Sequence, residues 1–176
     1  MYFPKSWTTR ESRSSDQNAK KRYHHCSGQE FNVAISHGDL AEWSEYAGYL
    51  YGTPKIELEG EGNILVEIEV NGAMKIKSAF PHTHGIFILP PSIEELVARI
   101  GNRGSGESQV TIDNRMQTAR VEVGRAGEFD YWFLNEDFDL AVSQFQDLVG
   151  DLVAGRVPSE QYRDNNLLSR IQALFR

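Results

Sequence analysis

The strongest constraint on this chain is an alternation of apolar and charged residues interrupted by Asn71-Gly72. Ile64, Val66 and Ile68 alternate with Leu65, Glu67 and Glu69, and after the break Met74 and Ile76 alternate with Lys75 and Lys77. Period-two patterning on both sides of an Asn-Gly step predicts a β-hairpin. A two-residue loop would set Ile68 opposite Lys75 and Glu67 opposite Ile76, mixing the faces, because directly opposed residues share one side of a sheet. A three-residue loop, Val70-Asn71-Gly72, pairs Ile68 with Met74 and Val66 with Ile76 instead. The odd-length loop is therefore expected, with Gly72 at positive φ, where an alanine would cost about 1 kcal/mol or more.

Around this hairpin the other segments fall into place. Phe31, Val33 and Ile35 alternate as a short strand. Leu40, Trp43, Ala47 and Leu50 share one helical face, which predicts a helix over 40–51 with Asp39 as N-cap and Gly52 ending it. Gly85–Leu89 reads as a central strand, apolar on both faces. Ser92-Ile93-Glu94-Glu95 is a capping box opening a helix that Gly101 closes. Gln109–Asp113, Ala119–Val123 and Phe129–Leu134 read as strands. Phe138 to Val153 keeps a helical stripe, and Pro158 separates a last helix carrying Leu167, Leu168, Ile171, Leu174 and Phe175. The expected fold is α+β: a mostly antiparallel sheet of about six to eight strands packed by helices, with two C-terminal helices.

Charge divides the chain unevenly. Of the net −7, residues 1–25 carry +4 (Lys5, Arg10, Arg13, Lys20, Lys21 and Arg22 against Glu11 and Asp16), leaving −11 on residues 26–176. Residues 1–28 lack an apolar period and are expected to form a flexible basic tail, with 29–176 a single domain. So acidic a body repels nucleic acid and draws basic partners. Only the tail, through Lys20, Lys21 and Arg22, suits phosphate. Nothing spans a membrane, no secretory signal is visible, and the single Cys26 fits a cytoplasmic, reducing setting.

Candidate chemistry is sparse. His24-His25-Cys26 with His82 and His84 offers imidazole and thiolate, but no Cys-x-x-Cys partner completes a zinc set. A Cys26–His37 nucleophilic pair has nothing to hold it together. Asp130, Glu136, Asp137 and Asp139 offer hard oxygens, yet carboxylates also favour a helix N-terminus. Gly101-Asn102-Arg103-Gly104-Ser105-Gly106 follows a helix and precedes a strand, the reverse of a phosphate cradle, and Ser105 lacks the strand–turn–helix of a nucleophile elbow.

What remains is aromatics set among acids. Glu42, Glu45, Tyr49, Asp130 and Trp132 are the expected partner-binding residues, with charges steering and rings anchoring. The chain is thus expected to be a non-enzymatic binding protein without cofactor or metal, sequestering a basic partner protein as immunity proteins, antitoxins and chaperones do. The alternative is a metal-dependent enzyme using His82, His84 and the acidic cluster near Asp137.

Overall fold

The computed structural model describes residues 1–12, 22–46, 48–103 and 109–176, with side chains at 102, 103 and 109–111 outside the description. Contacts divide the chain into two compact units, Met1–Thr83 and His84–Arg176, each considered by itself.

The first unit is built on a four-stranded mixed sheet in the order β2-β1-β4-β3. Its strands are β1 (Ser6–Thr8), β2 (Tyr23–His25), β3 (Leu40–Tyr46) and β4 (Tyr49–Pro54). β1 runs parallel to β2 and antiparallel to β4, which pairs antiparallel with β3. Helix α1 (Gly28–His37) is capped by Ser27: its hydroxyl accepts from the Glu30 N–H at 3.2 Å, and its own N–H donates to the Glu30 carboxylate at 2.8 Å. Gly38, at φ 72°, ends the helix in a conformation few other residues accept. Phe31 and Ala34 of α1 pack with Leu40, Trp7, Cys26, Ile35 and Leu50, so one face of the sheet is closed by apolar contact. Register places Ser6, Thr8, Tyr23, His25, Glu42, Ser44, Tyr51 and Thr53 together on the other face.

Four expectations differ from the structure in this unit. Residues 31–35 lie in α1, because Ser27-x-x-Glu30 starts a helix that outweighs a three-residue alternation. Residues 40–51 form two strands, with Tyr46 opposite Tyr49 and Gly48 at φ 79°; Ala47 lies outside the described residues. The predicted hairpin is absent. Residues 64–69 belong to no strand, Ile64 making an isolated bridge to Tyr2, and α2 spans Val70–Ala79. Glu69 caps α2, accepting from the N–H groups of Asn71 (2.7 Å) and Gly72 (2.6 Å), so Asn71-Gly72 is a first helical turn and Gly72 does not have positive φ. Residues 1–28, expected to be a flexible tail, contribute β1, β2 and the α1 cap; 13–21, with Arg13, Lys20 and Lys21, lie outside the described residues.

The second unit holds a two-stranded parallel sheet of β5 (Ile86–Leu89) and β6 (Tyr131–Leu134). The chain crosses between them through α3 (Ile93–Arg103) and α4 (Gln109–Gly124), and finishes with α5 (Phe138–Val153) and α6 (Asn165–Leu174). Leu89 and Trp132 pack with Val123, Ala126, Leu168, Ile171 and Phe175. Tyr131 and Phe133 pack with Ala141, Leu148 and Tyr162. Successive β6 side chains therefore enter separate cores, the arrangement expected of parallel strands buried on both sides. Ser92 does cap α3, its hydroxyl accepting from the Glu95 N–H at 3.2 Å, though the helix passes Gly101. The strands expected at 109–113 and 119–123 are α4 instead; Val123 is buried while Val121 is 56% exposed, so the alternation of Ala119, Val121 and Val123 is not a sheet face. Among the described residues, a small mixed sheet, a parallel pair and six α-helices thus replace the expected antiparallel sheet.

Gly52 tests the first unit. A Cβ there would lie 2.9 Å from the Glu42 carbonyl oxygen and 3.1 Å from Phe31 Cζ and Leu40 Cδ1. Gly52→Ala should lower stability by about 1–3 kcal/mol, read by urea unfolding. An unchanged midpoint would show that the sheet and α1 are not held this closely.

Candidate functional site

The face of the four-stranded sheet opposite α1 carries a buried carboxylate. Glu42 on β3 is 5% exposed and its Oε1 accepts a hydrogen bond from the Thr53 hydroxyl on β4 at 2.8 Å; Thr53 is 1% exposed. Burial pushes the Glu42 carboxyl above its ordinary pKa; the Thr53 hydroxyl draws it back, the Glu69 charge adds to the rise, and Lys75 opposes it. A carboxylate has room for about four hydrogen bonds. Among the described residues, Thr53 alone supplies those that Glu42 has.

Glu42 Oε2 borders the first turn of α2. A Cβ on Gly72 would lie 2.7 Å from that oxygen and 2.7 Å from Ile68 Cδ1, so glycine is needed here for close approach, not for a turn. Lys75, one turn further along α2, donates to the Trp43 carbonyl at 2.5 Å and sits 5.4 Å from the Trp43 ring centre.

Cations and phenols occupy the β1–β2 side of the same face. The Arg10 guanidinium lies 5.8 Å from the Tyr23 ring centre, and Tyr23 meets Tyr51 edge-on at 6.3 Å. Burial, then the Glu67 charge, raise the Tyr23 pKa, while Arg10 and Arg22 oppose them, so this phenol keeps its proton as a donor at neutral pH. Thr8 is wholly buried, and its hydroxyl accepts from the Arg10 N–H at 3.1 Å. The face thus offers an acceptor at Glu42 and, across the sheet, a guanidinium and two phenols suited to an anion.

Comparison with known proteins decides the class. The guanylate kinase family profile matches residues 2–152. The chain is 41% identical over 150 residues to a guanylate kinase of Synechocystis sp., covering 83% of this chain and 78% of that protein. The chain belongs to the guanylate kinase family. A guanylate kinase of Aromatoleum aromaticum is 37% identical over 166 residues, 92% of this chain and 79% of that one. The crystal structure of guanylate kinase from Anaplasma phagocytophilum superposes with a TM-score of 0.69 at 26% identity, covering 97% of this chain and 85% of that chain. The guanylate kinase fold, and a family of enzymes, replace the expected antiparallel sheet and the non-enzymatic immunity, antitoxin or chaperone role with its basic protein partner.

The expected site residues are not brought together as a surface. Glu42 is buried, whereas Glu45 and Tyr49 are exposed on β3 and β4. In the other unit the Asp130 carboxylate accepts from the Gly85 N–H at 2.7 Å, and buried Trp132 donates to the Asp164 carbonyl at 2.9 Å. Asp137 caps α5 by accepting from the Leu140 N–H at 2.8 Å. His82 and His84 are exposed, and among the described residues no three His, Cys, Asp or Glu side chains are grouped to hold a metal ion. Gly104, Ser105 and Gly106 lie outside the described residues, while Arg22 pairs with Glu67 at 3.3 Å on the surface. Among the described residues no helix is long and apolar enough to cross a membrane. Sequence reasoning did not single out Arg10, Tyr51 and Thr53 as site residues, and took Tyr23 only as part of the basic tail; the signal available was the polar and aromatic content shared by 6–10, 23–25 and 49–53.

Glu42→Gln keeps an acceptor for Thr53 and removes the buried charge. With its folded pKa raised above the unfolded value, Glu42 stabilises the fold only when protonated, and that contribution is lost as pH rises through the folded pKa. The glutamine variant should therefore be more stable than the parent at neutral pH, by about 0.5–2 kcal/mol, with the gain shrinking as pH falls toward the ordinary carboxyl range. Thermal melts across that range check it; a gain that grows on acidification would contradict the assigned direction.

Proposed function

We propose that the sheet face opposite α1 in the first unit binds guanosine monophosphate, the acceptor in the reaction for which the related enzymes are named. The observation that carries this reading is the buried Glu42 carboxylate, whose hydrogen bonds among the described residues come from Thr53. Guanine presents two adjacent donors, N1–H and the exocyclic amino group, and an ionised carboxylate presents acceptors only. The pairing is charge-assisted and sheltered from water, which makes it both strong and selective. Adenine has a lone pair at N1 in place of the donor and would be repelled. Binding also supplies donors that the buried charge lacks, lowering the penalty of keeping Glu42 ionised.

The phosphate falls to Arg10, with Tyr23 and Tyr51 as neutral donors beside it. A guanidinium offers two parallel N–H groups to one phosphate, and its charge is set into an otherwise acidic chain. The role of these residues is to bind and orient the acceptor so that a phosphate oxygen is presented for transfer. Cradling a triphosphate donor calls for further groups, typically a Gly-x-x-x-x-Gly-Lys-[Ser/Thr] loop; the 176 residues contain no Gly-Lys dipeptide. A cytoplasmic setting, in which Cys26 stays reduced, suits this reading.

Calorimetric titration of the chain with nucleoside monophosphates tests the proposal. GMP should bind about 100-fold or more tightly than AMP, and Glu42→Gln should reduce that preference by about 10-fold or more. Equal affinity for the two nucleotides, or a preference untouched by Glu42→Gln, would refute it.

A further inference from the structure

His25 is half-buried on the same face, opposite Thr8 in the parallel β1–β2 register and 6.1 Å from the Tyr23 ring centre. Its Nδ1 lies 2.6 Å from the Arg10 carbonyl oxygen. A carbonyl only accepts, so Nδ1 must carry the hydrogen and donate it. That choice makes Nε2 the lone-pair nitrogen of the neutral ring. Nε2 is buried and has no hydrogen-bond partner.

For packing alone this is a poor solution. A buried acceptor left unpaired costs about 1–3 kcal/mol, and a phenylalanine or leucine would fill the space without that loss. The part of the imidazole that does something is its Nδ1–H. It holds the Arg10 C=O, while the Thr8 hydroxyl holds the Arg10 N–H at 3.1 Å. Thr9 is fixed as well, exchanging bonds with Leu50 through its N–H at 3.0 Å and its hydroxyl at 2.9 Å. Both peptide groups flanking the Arg10 Cα are therefore pinned to the sheet, just where β1 ends and the chain leaves it.

We infer that His25 is a positioning residue: its Nδ1–H bond to the Arg10 carbonyl sets the backbone from which the Arg10 guanidinium meets the nucleotide phosphate. The inference rests on the nucleotide-binding reading above and adds a residue to it. Its effect is on the phosphate and not on the base, because Glu42 and Thr53 lie on the opposite side of the sheet order, on β3 and β4. Displacement of a charged clamp by a fraction of an ångström weakens the contact without unfolding the sheet.

The experiment is calorimetric titration of the full chain with GMP and with guanosine, in wild type, His25→Leu and His25→Asn. The ratio of the two affinities isolates the phosphate contribution. Asparagine places an amide N–H near the Nδ1 position and restores the donor; leucine removes it, and His25→Phe replaces leucine as the donor-free variant if leucine fails to fold. Wild type should prefer GMP over guanosine; the donor-free variant should lose about 10-fold of that preference with guanosine affinity kept, and His25→Asn should recover most of it. A preference retained without the donor, one lost alike in the asparagine variant, or parallel weakening of both ligands would overturn the inference. A wild-type chain with no affinity for GMP would instead remove the nucleotide reading, and this inference with it.

Discussion

The hydrogen bond from Thr53 to Glu42 couples the fold of the first unit to its proposed chemistry. It ties β3 to β4 on the face opposite α1, beside Ile68 and the first turn of α2, and it fixes the carboxylate proposed to meet the base. The arrangement leaves no room on either side of it. A Cβ at Gly52, the residue before Thr53, would abut the Glu42 carbonyl oxygen, and a Cβ at Gly72, in the first turn of α2, would abut Glu42 Oε2 and Ile68. Two glycines that a sequence reader takes for punctuation are places where backbone and carboxylate touch. The same burial that raises the Glu42 pKa makes the site a stability liability, in the manner of many functional sites.

The sheet separates structure from function by face. One side is closed by Phe31, Ala34 and Leu40 with Trp7 and Leu50, and nothing polar is needed there. The other side gathers Thr8, Tyr23, His25, Glu42, Tyr51 and Thr53, residues from four strands that are scattered over 46 positions of sequence. A parallel pairing of β1 with β2 brings the basic N-terminal segment onto the sheet. The Arg10 charge is thereby set beside Tyr23 and Tyr51, where the phosphate is proposed to bind.

Part of this was legible. Phosphate was associated with Lys20, Lys21 and Arg22 as a loose tail; Lys20 and Lys21 lie outside the described residues, and Arg22 pairs with Glu67. The β5 strand, the Ser92 cap and the two C-terminal helices were readable because each rests on local chemistry: an apolar run, an N-cap side chain, a long stripe. The failures come from segments of five to twelve residues, where apolar spacing fits helix and strand alike and a single polar residue decides. Ser27-x-x-Glu30 was such a decider and was overlooked beside the alternation of Phe31, Val33 and Ile35. At Asn71-Gly72 the deciding group was Glu69, an uncommon N-cap, and the reason for the glycine lay 30 residues away at Glu42. Glu42 itself was singled out, but as an exposed charge on a helix. Its significance depends on burial against Thr53, a long-range fact that no local pattern carries.

The central claim is that the Glu42 carboxylate reads the base, and its own ionisation reports that directly. Carbon-detected NMR of the glutamate carboxyl groups, titrated with pH in the free chain and under saturating GMP or AMP, separates Glu42 from the exposed acids. The account predicts a Glu42 midpoint above the ordinary carboxyl range in the free protein, moved down by GMP and left in place by AMP. A Glu42 that titrates as an exposed glutamate, or one that ignores GMP, would contradict it.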